Sequence, residues 1–235
     1  MKRIIRRFYS SIVPYFASRV IRDVLADSLT FLDLTALSDL HRMVRSCERN
    51  KLEGVLIEAG CAAGGSAIVM TSAKRPSRQI FVYDVFGMIP EPSEKDGADV
   101  LDRYKVIKQG DAKGIGDREY YGYESDLMTK VENNFSKHGY PTAKNNVMLV
   151  KGLFSDTITG SEPVALAHLD GDWYSSVKVC LERIVPRLVV GGTLVIDDYD
   201  AWSGCRKAVD EYFADKKKNF AFVKKSRLSI VRIRS

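Results

Sequence analysis

Val55-Leu56-Ile57-Glu58-Ala59-Gly60-Cys61-Ala62-Ala63-Gly64-Gly65-Ser66 is the stretch that decides the fold of this 235-residue chain. A short apolar run ends in an acid and a cluster of glycines, and a helical pattern from Ser66 to Ala73 follows. The run reads as a buried strand and the glycines as a strand-to-helix turn. Glycine lets a backbone take positive φ and approach a ligand closely. The helix that follows presents unpaired N–H groups to a carboxylate or phosphate. Many such turns only turn, so the segment alone leaves the ligand open. No Gly-Lys-Ser/Thr follows, which excludes a P-loop, and the spacing is not a clean G-x-G-x-x-G.

The same unit repeats downstream. Ile80-Phe81-Val82-Tyr83 predicts a second strand ending at Asp84, then a long polar stretch runs from Gly87 to about Tyr123. A helix is expected over 125–138. Val147-Met148-Leu149-Val150 and Val164 to Leu169 read as strands, the second ending in Asp170. Helix 176–188, a Gly191-Gly192 turn and the strand Thr193-Leu194-Val195-Ile196 lead into Asp197-Asp198, and helix 204–214 follows. The last two strands, 220–223 and 229–233, can pair as a hairpin. Continuous apolar strands alternating with helices predict an α/β fold: a Rossmann-like doubly wound sheet, mostly parallel with a C-terminal antiparallel hairpin and helices on both faces. Upstream, 1–30 reads as an amphipathic arm interrupted at Pro14, and 33–50 as a helix. The expected organisation is a helical arm and cap over 1–50, then one ligand-binding domain over 51–235 with 87–123 as a lid-like insertion.

Ligands of doubly wound sheets bind outside the carboxyl ends of the strands, and here the central strands end in acids or glycine. Asp84, roughly 20 residues beyond the glycines, is placed to bond ribose hydroxyls; a loop-capping role is its plain alternative. Asp170-Gly171-Asp172 and Asp197-Asp198 both follow buried strands of the second half-sheet. Clustered carboxylates repel one another unless a cation or proton compensates. Several around one mouth suit a hard divalent ion such as Mg²⁺. Solvated loop acids, with Asp172 capping the next helix, are the competing reading.

Composition sets the outer bounds. With 45% hydrophobic residues the chain can build one full core. The net charge of +6 is concentrated at the ends: Lys2, Arg3, Arg6, Arg7, Arg19 and Arg22 precede the first acid, and Lys216-Lys217-Lys218 begins a basic tail. The basic arm suits contact with a membrane surface or a lipid-linked glycan, or packing on a partner subunit. No nucleic-acid motif accompanies the charge. Four scattered cysteines read as free thiols in a reducing cytosol. No apolar run is long enough for a signal peptide or a membrane span. A cytoplasmic protein is therefore expected.

At five ordered segments the sequence resembles the macrocin O-methyltransferase family. The segments are Glu58 to Ser66; Tyr83-Asp84-Val85-Phe86-Gly87-Met88-Ile89-Pro90-Glu91-Pro92; Val150-Lys151-Gly152-Leu153-Phe154-Ser155-Asp156-Thr157; Leu169 to Ser176; and Gly191 to Tyr199 with Cys205-Arg206-Lys207-Ala208-Val209 beyond it. The resemblance runs from about Val55 to Phe213. It implies the class I methyltransferase fold and S-adenosylmethionine as methyl donor. It implies Glu58, Gly60 and Ser66 around the methionine moiety and Asp84 at the ribose. Phe154 and Ser155, following Gly152, would flank the adenine. It also implies a Mg²⁺ ion held by Asp170, Asp197 and Asp198, with Asp170 or Asp172 as the base. The expected acceptor is a sugar hydroxyl of a glycosylated metabolite or surface glycan, and a homo-oligomer is the expected state.

Within the family pattern, Cys61-Ala62-Ala63 is an unusual filling, and the segment from Asp96 to Tyr123 departs from it. That segment, with Tyr120-Tyr121-Gly122-Tyr123, is expected to wall the acceptor site or to pack as a surface loop. His168 reads as a buried structural residue that can support the site from behind. Trp173 and Tyr174 would wall the substrate pocket or fill the core. Methylation of a catechol or phenol by the same chemistry, and a non-catalytic nucleotide-binding partner in glycan or natural-product assembly, remain open readings. An NAD-linked oxidoreductase has no need of the paired aspartates.

Overall fold

The computed structural model describes residues 18–116 and 118–234. The N-terminal half of the expected basic arm lies outside them. Two helices open the described chain, α1 (Arg19–Ala26) and α2 (Leu34–Arg49). Asp33 starts α2 by accepting a hydrogen bond from Ala36 N at 2.8 Å, which satisfies one of the four free donors of a helix start. The alternating part follows as β1 (Val55–Ala59), α3 (Gly65–Ala73), β2 (Ile80–Asp84), α4 (Ala98–Lys108) and α5 (Leu127–Lys137). Then come β3 (Val147–Lys151), the single turn α6 (Phe154–Thr157), β4 (Val164–Leu169), α7 (Tyr174–Ile184) and β5 (Leu188–Ile196). α8 (Ser203–Phe213), β6 (Phe220–Lys224) and β7 (Leu228–Arg232) complete the chain.

The seven strands form one sheet in the order β3-β2-β1-β4-β5-β7-β6. The first five are parallel; β7 pairs antiparallel with both β5 and β6. The expected hairpin is present, and it is its second strand that joins the sheet. Both faces are covered, which is why the central strands carry no polar alternation. Leu56, Val82 and Val195 face α1, α2, α3 and α5. Ile57, Tyr83 and Leu194 face α7 and α8. Leu56 and Ile57 are fully buried, each contributing about 1.5–3 kcal/mol by leaving water. Ile21, Val24, Leu37, Leu40 and Val44 belong to the same core cluster as β1 and β2, so α1 and α2 form one layer of the domain.

Two elements depart from the sequence reading. β5 begins at Leu188, five residues before the expected strand, and Gly191-Gly192 lies within it. Its register against β4 shifts between Val164 and Leu166, marking a bulge. The stretch expected as an irregular lid contains the 11-residue helix α4. Its inward residues Val100 and Ile107 pack with Tyr120 and Trp173 in a small cluster of their own. Among the described residues no helix is long and apolar enough to cross a membrane, and all four cysteines are free and buried.

The candidate active site

The sheet order reverses at β1 and β4, so a crevice opens above their carboxyl ends. The hydrogen-bond ladder runs one residue past each strand and sets the loops side by side. Gly60 N donates to Tyr83 O at 2.8 Å, Asp170 N to Ala59 O at 2.9 Å, Asp197 N to Leu169 O at 2.9 Å and Gly152 N to Asp84 O at 2.9 Å. Gly60 has φ +89°, and a Cβ there would overlap the carbonyl of Asp170. Only glycine combines that conformation with that approach. Gly64, at φ +91°, is the N-cap of α3.

Two cavities meet in this crevice. The first, of about 300 Å³, is lined by Gly60, Asp84, Ile89, Phe154, Ser155 and Asp170 among others. Asp84 is buried there; Cys61 N donates to its Oδ2 at 2.8 Å and Phe86 N to its Oδ1 at 2.7 Å. Burial lifts its carboxyl above the usual range, against the lowering effect of those N–H groups. The second cavity, of about 170 Å³, shares Gly60, Asp84, Tyr121 and Asp170 with the first. Asp172, Arg103, Phe31, Tyr120, Trp173 and Trp202 also line it. A third cavity of about 270 Å³ shares Phe31, Ala62, Tyr120 and Tyr121 with the second.

Asp170, Asp172 and Asp198 each bring a carboxylate oxygen within 4.8 Å of the others. Asp172 N donates to Asp198 Oδ2 at 3.1 Å, and Trp202 Nε1 donates to Asp172 Oδ1 at 2.9 Å. Asp172 sits at φ +51°, a strained conformation for a residue with a side chain. Burial and then the neighbouring carboxylates push Asp170 and Asp198 well above the usual range. Burial pushes Asp172 up to about 6, held back by the Trp202 hydrogen bond. Three acids in this state are the arrangement that a bound cation or a proton relieves.

Asp197, also in the implied ligand set, faces two basic side chains. Arg227 Nε reaches its Oδ1 at 2.7 Å, and His168 Nε2 stands 3.5 Å from the same oxygen. Asp172 stands in the trio in its place, because the loop after β4 turns that residue back over Asp198. Burial would raise Asp197, but His168 and Arg227 outweigh it and hold its carboxyl below the usual range.

Glu58 and Ser66 line neither cavity. Glu58 is completely buried and Ser66 nearly so. Strand register puts Glu58 directly beside His168. The His168 ring Nδ1 lies 3.1 and 3.2 Å from the two Glu58 oxygens, and Ser66 Oγ donates to Glu58 Oε1. Burial opposes charge on His168, but Glu58 and Asp197 lift its pKa to about 10. An imidazolium held between two carboxylates thus spans β1, β4 and β5 beneath the crevice. Gly152, at φ +145°, shapes the turn that brings Leu153, Phe154 and Ser155 to the first cavity.

Sequence reasoning missed Phe31, Arg103 and Trp202. The signal for Arg103 was present: Val100, Tyr104 and Ile107 have helical spacing. Nothing local marks Phe31 or Trp202. Cys61 follows Gly60 in the turn but lines none of these cavities; burial and the nearby Asp84 and Glu58 push its thiol well up, so it is inert.

The model of the macrocin O-methyltransferase (TylF) family matches residues 22–224. The 8-demethyl-8-(2,3-dimethoxy-alpha-L-rhamnosyl)-tetracenomycin-C 4'-O-methyltransferase of Streptomyces olivaceus is 32% identical over 197 residues, 81% of this chain and 70% of that protein. Demethyldecarbamoylnovobiocin O-methyltransferase of Streptomyces niveus is 28% identical over 199 residues, 82% of this chain and 71% of that protein. Among solved structures, the O-methyltransferase NovP matches with a TM-score of 0.72 and 25% identity, covering 88% of this chain and 82% of that one.

Proposed function

The chain belongs to the macrocin O-methyltransferase family and is an S-adenosylmethionine-dependent O-methyltransferase, and from that premise we propose that it methylates a sugar hydroxyl of a glycosylated metabolite or surface glycan. One observation carries this reading: the 300 Å³ and 170 Å³ cavities meet at Asp170, so a donor in one and a ring in the other face each other across the carboxylates. One relative is named as a 4'-O-methyltransferase of a rhamnosyl-tetracenomycin, and another as an O-methyltransferase of demethyldecarbamoylnovobiocin. The adjoining 270 Å³ cavity offers room for whatever the sugar is attached to.

In this reading Asp84 accepts hydrogen bonds from the ribose hydroxyls, and Phe154 and Ser155 flank the adenine. Gly60 lets the backbone come close to the methionine moiety. Glu58, His168 and Ser66 brace the turn from below. Asp170 and Asp198 would hold a Mg²⁺ ion, with waters completing its coordination. The trio fits a hard cation, since burial lifts all three carboxyls and nearby carboxylates add to the lift. Bound there, the ion supplies Lewis acidity that lowers the pKa of an acceptor hydroxyl. Asp172 takes the hydroxyl proton, because Trp202 Nε1 holds its Oδ1 at 2.9 Å and its carboxylate stands within 4.8 Å of Asp170 and Asp198. Holding the acceptor oxygen in line with the transferred methyl supplies much of the rate.

The test is methyl transfer from S-adenosylmethionine to a panel of rhamnosyl glycosides and simple catechols, followed by mass gain, with and without EDTA. Transfer to glycosides that EDTA abolishes and Mg²⁺ restores supports the reading. Transfer confined to catechols overturns the acceptor, and transfer indifferent to EDTA overturns the metal.

A further inference from the structure

The 170 Å³ cavity contains one charged group that the chemistry above does not use. Arg103 is half-buried on α4, with its guanidinium carbon 5.7 Å from the centroid of the Tyr120 ring. Its charge acts on Asp172, whose carboxyl it helps to lower, and on the Tyr120 ring. Its side chain lines the acceptor space, with its N–H groups unbonded to any carboxylate within 4 Å among the described residues.

α4 is held firmly in place. Asp96, just before it, accepts a hydrogen bond from Tyr174 N at the start of α7 at 2.7 Å. Asp99, in its first turn, accepts from Ser203 N at 2.9 Å and from Ser203 Oγ at 2.5 Å at the start of α8. Trp173 Nε1 donates to Pro90 O at 2.9 Å. These helix starts follow directly on the loops that carry Asp170–Asp172 and Asp197–Asp198. Arg103 and the carboxylate trio therefore stand in one rigid frame, as a preorganised binding group must.

Five aromatic residues line the cavity with Arg103 and Asp172: Phe31, Tyr120, Tyr121, Trp173 and Trp202. A pyranose matches this box, with C–H faces that lie on aromatic rings and oxygens around its edge. The planar guanidinium fork offers two parallel N–H groups, the geometry that hydroxyl oxygens on two neighbouring ring carbons accept. We propose that Arg103 is an acceptor-binding, specificity-determining residue: it donates hydrogen bonds to ring hydroxyls other than the one methylated, and so orients a sugar ring at Asp170 and Asp172. The proposal rests on the sugar reading above, which it deepens.

The chain has only two tryptophans, and both line this cavity. Intrinsic fluorescence therefore reports its occupancy without any turnover. The experiment titrates the full chain, saturated with S-adenosylhomocysteine and Mg²⁺, with methyl α-L-rhamnopyranoside and with its fully O-methylated derivative. The expected result is a saturable change with the free rhamnoside and much weaker binding of the methylated one. In Arg103→Gln the rhamnoside affinity falls about tenfold, the loss expected for charge-assisted hydrogen bonds. Arg103→Lys, which keeps the charge and loses the fork, falls in between. S-adenosylhomocysteine affinity and melting temperature stay at wild-type values, which a merely structural role would not predict. Equal rhamnoside affinity in Arg103→Gln and wild type, or no saturable signal in wild type, overturns the proposal. Where Arg103→Gln does not fold, wild-type affinity in Arg103→Lys overturns it. Arg103-dependent binding without methyl transfer to any glycoside would refute the sugar-methylation reading and leave this one standing; transfer with Arg103-independent binding does the reverse.

Discussion

Replacing His168 with leucine tests the buried charge relay beneath the site. In the wild type His168 and Glu58 are both completely buried, with Nδ1 3.1 Å from Glu58 Oε2. Asp197 retains Arg227 at 2.7 Å when the imidazole is removed. Glu58 retains only the Ser66 hydroxyl, so the loss falls on one stranded carboxylate. Breaking such a buried pair from one side costs about 3–5 kcal/mol. For a domain of this size that lowers the melting temperature by roughly 6–20 °C. Adding Glu58→Gln to the variant removes the stranded charge while a carbonyl still accepts from Ser66, so the double variant should regain a large part of the loss. The pH dependence gives an independent check. The folded pKa of His168, about 10, lies above its ordinary 6.5, so its stabilising contribution is complete below about 6.5 and is lost as pH rises through 10. The melting-temperature gap between wild type and His168→Leu should therefore shrink from pH 7 to 10. Thermal unfolding followed by circular dichroism reads each quantity. A single variant within about 1 kcal/mol of wild type, or a double variant whose loss is the sum of the two single losses, refutes the ion-pair account.

Three further outcomes follow from the geometry. Gly60→Ala should abolish S-adenosylhomocysteine binding by calorimetry, since positive φ alone costs about 1–2 kcal/mol and the new methyl overlaps Asp170. Asp172→Asn should lower kcat by about 10²–10⁴-fold and leave S-adenosylhomocysteine binding intact. The wild-type rate should rise with pH as Asp172 loses its proton, an acid limb missing from the variant's pH profile. Asp99→Ala releases α4 from the start of α8, so it should raise the acceptor KM severalfold with little change in the donor KM; equal effects on both would contradict the rigid-frame account.

Local sequence pattern encodes the strands, the turns and the family. Apolar runs ending in acids and glycines placed β1 to β5 and the crevice above them, because strand burial and turn chemistry are properties of neighbouring residues. The five ordered segments carried the family, and Gly60, Asp84, Phe154, Ser155, Asp170 and Asp172 all reach the two cavities. Tertiary structure decided the rest. Glu58 and Ser66 look like ligand residues in a motif, yet strand register turns Glu58 onto His168, a partner 110 positions away. Asp197 and Asp198 are adjacent in sequence, but they face opposite ways, one to Arg227 and the other to Asp172. Arg103 and Trp202 become site residues only because Asp96 and Asp99 tie α4 to two helix starts more than 70 positions later. No local pattern encodes such pairings, since they depend on which loops the sheet order brings together. The glycine turn marks where the crevice opens, and contacts across the sheet determine which acids, rings and guanidinium face into it.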